Sequence, residues 1–215
     1  MKILFIGNSY TYYNDLPQLF EKLANVNGKA AEAYSVTCGG RRLIENITKQ
    51  DEYSEKLDAL IKEHDFDWMV LQEQSMGSIL EYDTFCAGIA GLRDKLQAHT
   101  KQFLLYATWG RKSGSPDLEK HGLTQESMTR KIAEAYEKAG ETFGMATAHV
   151  GRKFCAVSSV NPEIELYNAD KTHPSYAGSC LAALTLYEAV FGEGAEDISA
   201  FELPEETGKA FLAQF

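Results

Sequence analysis

Five short apolar runs, separated by longer segments with helical periodicity, constrain the fold of this chain more than any other feature. The apolar runs cover residues 3–6, 33–37, 68–71, 103–107 and 145–150. The main segments with helical patterns cover residues 16–27, 53–63, 82–96, 124–143 and 175–191. Strands that alternate with helices of ten or more residues are typical of βαβ units, which build a parallel sheet with helices on both faces. We therefore predict an α/β fold with five parallel strands.

The length and composition of the chain bound its domain organisation. Its 215 residues, of which 44% are hydrophobic, are enough to bury one substantial core. No internal repeat, low-complexity tract or change in composition marks a linker. We therefore expect residues 1–215 to form a single domain, with the tail beyond Gly192 peripheral to it.

The charge of the chain argues against two classes of partner. The sequence has 31 acidic and 21 basic residues, which gives a net charge of -10. No Lys/Arg cluster is dense enough to follow a nucleic-acid backbone or an anionic membrane surface, and no apolar run approaches the length of a membrane span. We therefore expect neither nucleic acid nor a membrane as a partner, and the sequence leaves the oligomeric state open.

The sequence contains four cysteines, Cys38, Cys86, Cys155 and Cys180. No two of them form a C-x-x-C pair and none has a histidine at ligand spacing, so we expect reduced thiols, no metal site and no cofactor. Lys2 is followed by only four apolar residues before Gly7, which is too short for the apolar core of a signal peptide. The sequence as written therefore predicts a cytoplasmic protein, and an exported one if a signal peptide has been removed.

The turn after the first apolar run contains a candidate nucleophile, Ser9. Ligands of parallel α/β sheets bind beyond the carboxyl ends of the strands. A serine at such a turn can direct its Oγ into the crevice and offer its own N–H to an oxyanion. Taken alone, a serine in this position is more often a turn residue or a helix cap.

A second candidate motif, D-x-x-H, lies at Asp170 and His173, just before the last helical segment. A carboxylate three residues before a histidine can reach across one turn and accept the Nδ1–H of the imidazole. That arrangement fixes the tautomer and leaves Nε2 free to take the proton of Ser9. Taken alone, the motif would favour a surface turn capped by the aspartate.

Together, G-N-S-Y-T at residues 7–11 and D-x-x-H-P at residues 170–174 resemble the first and last sequence blocks of the SGNH (GDSL-like) hydrolases. The resemblance covers essentially the whole chain in order. It implies a flavodoxin-like three-layer αβα sandwich around a five-stranded parallel sheet. It also implies a catalytic triad of Ser9, Asp170 and His173.

The resemblance further implies three donors to an oxyanion. They are the backbone N–H of Ser9, the backbone N–H of Gly40 after the second strand, and a side-chain amide after the third. The family's third block usually reads G-x-N-D, whereas this chain has Gln72-Glu73-Gln74-Ser75. Gln74 aligns with the family's asparagine without a gap, and Gln72 is the alternative.

Two features flank the expected site. Trp109, at the end of the fourth strand, is our candidate substrate-binding residue, by stacking on a sugar or lining an acyl pocket; packing in the core is the alternative. It opens a long irregular loop, residues 109–123, of the kind that often borders a substrate. Arg41 and Arg42 either orient an anionic group or form a solvated helix start, and we favour the second.

The function implied is that of a serine esterase that hydrolyses short-acyl esters, O-acetyl esters above all, through an acyl-enzyme on Ser9. Glutamine-containing third blocks are similar to those of family branches that act on carbohydrate esters, which favours a small-molecule or carbohydrate ester as substrate. A lysophospholipase or thioesterase, with a wide apolar groove, is one alternative. Another is a non-enzymatic flavodoxin-like protein that binds a flavin phosphate at the Ser/Thr-rich turn. A catalytically silent member of the fold is a third.

Overall fold

The computed structural model describes residues 1–215 and contains one five-stranded sheet in which all strands are parallel. The strands are β1 (Lys2–Gly7), β2 (Glu32–Thr37), β3 (Phe66–Leu71), β4 (Thr100–Ala107) and β5 (Ala146–His149). Their order across the sheet is β2-β1-β3-β4-β5. The predicted α/β class, the number of strands and their parallel arrangement are confirmed.

Helices cover both faces of the sheet, so the predicted three-layer architecture is also confirmed. They are α1 (Ser9–Tyr12), α2 (Leu16–Val26), α3 (Glu45–Thr48), α4 (Glu52–Glu63), α5 (Gly77–Leu80), α6 (Tyr82–Leu96), α7 (Pro116–Lys120), α8 (Gln125–Phe143), α9 (Val150–Val160), α10 (Tyr176–Phe191) and α11 (Glu205–Leu212), with a 3-10 turn at Tyr13–Asp15. The helices α2, α9, α10 and α11 pack on one face, and α4, α6 and α8 pack on the other.

The continuous apolar run of β1 follows from its place inside the sheet. Ile3 and Phe5 belong to the core beneath α2, α9 and α10. Leu4 and Ile6 belong to the opposite core, beneath α4, α6 and α8. Successive side chains of a strand point to opposite faces, so a strand covered on both faces has to be apolar at every position.

The fifth apolar run differs from the prediction at its end. It was expected to remain a strand to residue 150, but β5 ends at His149 and α9 begins at Val150. Gly151 allows this abrupt change, because a Cβ there would lie 2.3 Å from the carbonyl oxygen of Thr108. The helix therefore packs directly against the end of β4.

The tail beyond Gly192 is not peripheral, contrary to the prediction. Phe211 of α11 is completely buried in the core beneath α2 and α10, and Phe201 is nearly so. Burial of a phenylalanine side chain contributes about 1.5–3 kcal/mol. The tail therefore stabilises this face of the sheet.

None of the helices combines the length and the apolarity needed to cross a membrane.

Candidate active site

Ser9 is placed by a tight turn at the carboxyl end of β1. Gly7 is required in this turn, because a Cβ there would lie 2.5 Å from Oγ1 of Thr11. The side chain of Asn8 accepts a hydrogen bond from the backbone N–H of Tyr10 (3.2 Å) and so caps α1, which begins at Ser9. Ser9 is 8% exposed, and its backbone N–H donates to no protein acceptor. Both its hydroxyl and its amide are thus available at the strand edge.

The loop before α10 holds Asp170 and His173 in a compact turn. Oδ1 of Asp170 accepts hydrogen bonds from the backbone N–H groups of Thr172 and His173, both at 2.9 Å. Its Oδ2 lies 2.6 Å from Nδ1 of His173. Lys171 takes a left-handed conformation (φ 61°) between them. One carboxylate therefore fixes both the course of the loop and the orientation of the imidazole.

The pKa of Asp170 lies below its usual value. Partial burial by itself would raise this pKa, but hydrogen bonds from the side chain and backbone of His173 and from the backbone of Thr172 outweigh that effect. Asp170 is therefore ionised at neutral pH, and its charge can stabilise a protonated imidazole.

The imidazole of His173 joins this carboxylate to Ser9. Its Nε2 lies 2.8 Å from Oγ of Ser9. Since Nδ1 faces the carboxylate, we assign the ring hydrogen to Nδ1, which leaves Nε2 to accept the hydroxyl hydrogen. The structure thus brings the three residues of the expected triad into one hydrogen-bonded row.

The loop after β2 places Gly40 beside the Ser9 turn. Gly40 is exposed, has a φ of 69°, and donates its backbone N–H to no protein acceptor. A turn closed by the N–H of Arg41 and the carbonyl oxygen of Cys38 (3.1 Å) surrounds it. The carbonyl oxygen of Arg41 in turn accepts a hydrogen bond from Nδ2 of Asn8 (2.9 Å). The hydrogen bond from Asn8 therefore tethers the loop that carries the free N–H of Gly40 to the turn that carries the free N–H of Ser9.

Gln72, one of the two candidate amides after β3, serves the turn instead. It is completely buried. Its Oε1 accepts hydrogen bonds from the backbone N–H of Asn8 (3.0 Å) and the hydroxyl of Thr11 (2.9 Å). Its Nε2 donates to the carbonyl oxygen of Glu73. These contacts brace the segment that carries the nucleophile and leave Gln72 out of reach of a ligand.

Gln74 is the better placed of the two amides. Its Oε1 accepts hydrogen bonds from the backbone N–H groups of Met76 and Gly77, both at 3.0 Å. The side chain is only partly buried, and the one contact of its Nε2 is a weak one to Oγ of Ser75 at 3.5 Å. The amide is thus fixed by its oxygen while its NH2 group stays available to a ligand.

Glu73 is a candidate functional residue that the sequence analysis missed. Its carboxyl is completely buried and accepts hydrogen bonds from the backbone N–H groups of Gln74 (2.7 Å) and Leu43 (3.2 Å). Burial raises its pKa to about 7, although the guanidinium of Arg42 lies 3.9 Å away. Glu73 therefore links the segment of Gln74 to the segment that follows Gly40. The available signal was an ionisable residue immediately after a buried strand.

The arginines after Gly40 do not form the solvated helix start that the sequence suggested. Arg41 is 4% exposed and donates two hydrogen bonds to the carboxylate of Asp51, at 2.8 and 3.0 Å. A third goes to Oδ1 of Asn46 (2.8 Å). Arg42 pairs with Glu81 (2.6 Å). Arg41 thus anchors the loop because a buried guanidinium needs these partners.

Trp109 packs in the core, so the expected contact with substrate is wrong and the packing alternative applies. The indole is completely buried and stacks on Phe154, with ring centroids 4.2 Å apart. Its Nε1 donates to the carbonyl oxygen of Thr172 (3.2 Å). Trp109 therefore supports the loop that carries His173.

The loop that starts at Trp109 nevertheless reaches the site through Arg111. The Nη2 of Arg111 lies 3.5 Å from Oγ of Ser75, and its Nη1 lies 3.4 Å from Oγ1 of Thr172. Arg111 also forms an ion pair with Asp117. Arg111 thus connects the chain neighbours of Gln74 and His173 through polar contacts.

Metal-binding residue types form no separate centre. The four cysteines are all unpaired thiols. No group of three or more His, Cys, Asp or Glu side chains is arranged to hold a metal ion.

Known proteins resemble this chain in their structures. No protein-family model matches it, and no curated protein matches its sequence. A solved structure from Slackia heliotrinireducens, described as an SGNH hydrolase, is 33% identical and has a TM-score of 0.77, and the match covers 88% of this chain and 98% of that one.

Two further structures share the fold at lower identity. A DUF4886 family protein from Bacteroides uniformis is 19% identical, with a TM-score of 0.81 over 99% of this chain and 92% of that one. A variant of Axe2, an acetylxylan esterase from Geobacillus stearothermophilus, is 15% identical, with a TM-score of 0.66 over 91% and 96%. At these identities the likeness indicates the fold alone.

Proposed function

This chain belongs to the SGNH hydrolase superfamily, and we propose that it is a serine esterase that removes short acyl groups, O-acetyl above all, with carbohydrate esters as its favoured substrates. One observation carries the proposal, namely the hydrogen bonds that join Ser9 to His173 (2.8 Å) and His173 to Asp170 (2.6 Å). A hydroxyl, an imidazole and a carboxylate in this order activate a serine nucleophile.

In the first step, Oγ of Ser9 forms a bond to the ester carbonyl carbon while Nε2 of His173 takes the hydroxyl proton. The carbonyl electron pair moves onto oxygen, and the resulting oxyanion accepts hydrogen bonds from three donors, the N–H of Ser9, the N–H of Gly40 and the amide of Gln74. Asp170 stabilises the imidazolium. When the carbonyl re-forms, the bond to the alcohol oxygen breaks, and His173 returns the proton to that oxygen as the alcohol leaves.

In the second step, water attacks the acyl group on Ser9 and His173 takes a proton from it. The same three donors stabilise the second oxyanion. Collapse breaks the bond to Oγ, His173 returns the proton to Ser9, and the carboxylic acid leaves. The overall change is hydrolysis of one ester to one acid and one alcohol.

The surroundings of Ser9 favour a short acyl group. Arg111 lies within 3.5 Å of the hydroxyls of Ser75 and Thr172, the chain neighbours of Gln74 and His173, so the surroundings of these two residues are polar. A long alkyl chain gains binding energy only against apolar surface. An acetyl group needs little such surface, and the shared fold with an acetylxylan esterase supports an acetylated carbohydrate as substrate.

The test is hydrolysis of p-nitrophenyl acetate and p-nitrophenyl octanoate at neutral pH by the wild type, Ser9→Ala and a matched control. Ser159→Ala is suitable as the control, because Ser159 is an exposed serine on α9. We expect acetate turnover to exceed octanoate turnover, to fall by several orders of magnitude in Ser9→Ala, and to remain unchanged in Ser159→Ala.

Two results would overturn parts of the proposal. Faster turnover of the octanoate would favour a lysophospholipase or thioesterase. Equal turnover by the wild type and Ser9→Ala would remove Ser9 from the mechanism.

A further inference from the structure

Three aromatic rings form a stacked row that reaches the protein surface. The imidazole of His173 is the inner ring, Tyr13 is the middle one and Tyr12 is the outer one. The ring of Tyr13 lies parallel to the imidazole, with centroids 4.3 Å apart and an angle of 6° between the planes. The ring of Tyr12 stacks on that of Tyr13, with centroids 5.6 Å apart and an angle of 24°. Tyr12 is 43% exposed and is one of the few large apolar side chains that face solvent.

A strained turn holds this row in place. Asn14 and Asp15 both take left-handed conformations, with φ of 53° and 54°, which are unfavourable for residues other than glycine. Nδ2 of Asn14 is hydrogen-bonded to Oγ of Ser179 (2.8 Å) and lies 3.2 Å from the carbonyl oxygen of Pro174. The turn is therefore fastened to the residues that follow His173.

Tyr12 also borders the opposite half of the site. A Cβ at Gly39 would lie 3.3 Å from the hydroxyl of Tyr12. Gly39 directly precedes Gly40, whose N–H is a proposed oxyanion donor. Tyr12 therefore lies between His173 and the loop of Gly40. Part of an ester bound at Ser9 would contact this position.

The proposed reaction indicates whether the acyl group or the alcohol of the ester lies near Tyr12. The oxygen of the departing alcohol has to receive its proton from Nε2 of His173, so the alcohol lies beside the imidazole. The ring row begins at that imidazole. Tyr13 covers one face of that imidazole, so the row borders the space beside it, and an alcohol that carries a ring can extend from Nε2 toward the exposed Tyr12.

We infer that Tyr12, supported by Tyr13, is a stacking platform for the sugar ring of the alcohol. The C–H groups on one face of a sugar ring carry partial positive charge, which suits the negative face of an aromatic ring. The hydroxyl of Tyr12 can also exchange a hydrogen bond with a sugar hydroxyl. This inference rests on the proposed esterase function and deepens it, because it names the residue that selects carbohydrate.

The test compares acetate release from two acetate esters that differ in their alcohol. One is a methyl glycoside with a single O-acetyl group, and the other is ethyl acetate, which has no ring. The proteins are the wild type, Tyr12→Ala, Tyr12→Phe and the control Val160→Ala, since Val160 is an exposed apolar residue on α9, away from the ring row. In Tyr12→Ala we expect the ratio of kcat/KM for the glycoside to that for ethyl acetate to fall about tenfold, mainly through KM. Tyr12→Phe should keep most of the ratio, and Val160→Ala all of it.

The outcomes separate the two proposals. Equal losses on both esters in Tyr12→Ala would leave the ratio unchanged and mean that Tyr12 only supports the structure. Wild-type kcat/KM on both esters would mean that no sugar stacks there. Ser9-dependent hydrolysis of ethyl acetate without any hydrolysis of the glycoside would overturn the platform and leave the esterase proposal standing. Absence of Ser9-dependent acetate release from either ester would overturn both.

Discussion

The imidazole of His173 and the ring of Tyr13 lie face to face, 4.3 Å apart and within 6° of parallel. Tyr13 follows Ser9 closely in the chain, so one short segment carries both the proposed nucleophile and the ring that packs on its base. When His173 takes the proton of Ser9, the resulting cation faces the negative face of the phenol ring. The stack therefore orients the imidazole and can stabilise the imidazolium that forms during the proposed reaction.

Replacement of Tyr13 tests this relationship. Tyr13→Leu should lower kcat for p-nitrophenyl acetate by roughly 2- to 30-fold, because the cation–ring attraction is worth about 0.5–2 kcal/mol. Tyr13→Phe keeps the ring face and should stay within about twofold of the wild type. Steady-state kinetics with a circular-dichroism check of folding would decide the matter. An equal loss in both variants would assign the effect to the hydroxyl and contradict the stack.

Asp170 provides a second test of the triad. Asp170→Asn can still accept the backbone N–H groups of the turn but carries no charge to stabilise the imidazolium. We expect kcat to fall by roughly 1000-fold or more, with little change in the midpoint of thermal unfolding. The control is Asp197→Asn, which alters another carboxylate that accepts a backbone N–H at the surface. A loss below about tenfold in Asp170→Asn would show that Asp170 is not the acid of the triad.

The sheet could be predicted because its information is local. Residues 3–6 of β1 are all apolar because both faces of that strand are covered, and the other strands are short segments between longer helical patterns. The start of α9 at Val150 could not be predicted in this way. Its position depends on how closely Gly151 approaches Thr108, which is a contact between separate segments.

The residues of the candidate site also fall into two groups, those placed by local sequence and those placed by contacts between distant segments. The D-x-x-H turn is local, and the placement of Ser9 follows from the end of a strand, so both were predictable. The burial of Trp109 and the contact of Tyr13 with His173 arise from packing between distant segments, which periodicity does not report. Gln72 and Gln74 are alike as sequence, and only the course of the chain after β3 buries the first and leaves the second partly exposed.

The two glutamines should respond differently to substitution. Gln74→Glu keeps an oxygen for the N–H groups of Met76 and Gly77 but removes the NH2 donor, so kcat should fall roughly 100- to 1000-fold. Gln72→Ala leaves the buried N–H of Asn8 without its acceptor, which should lower the free energy of unfolding by about 1–3 kcal/mol. Kinetics and urea unfolding of both variants make the comparison. Wild-type kcat in Gln74→Glu would remove Gln74 from the oxyanion site.

Glu73 should make the stability of the protein depend on pH. Its pKa is raised to about 7 by burial, so the folded state binds a proton more tightly than the unfolded state does. Stability from this group is therefore complete below the unfolded pKa, about 4.3, and is lost as pH rises to about 7. The loss should be on the order of 3 kcal/mol. Glu73→Gln cannot ionise and should lack this part of the pH dependence.

Urea unfolding of the wild type, Glu73→Gln and the exposed control Glu119→Gln, each between pH 4 and pH 8, measures the effect. The glutamine amide can lower the free energy of unfolding by the same amount at every pH. Such a loss shifts the whole plot of free energy against pH and leaves its slope unchanged, so the slopes of the three proteins are compared. The free energy of the wild type should fall relative to that of Glu73→Gln as pH rises, whereas Glu119→Gln should follow the wild type. Parallel curves for the wild type and Glu73→Gln would mean that Arg42 offsets the cost of burial and that Glu73 is a permanent anion between the loops of Gly40 and Gln74.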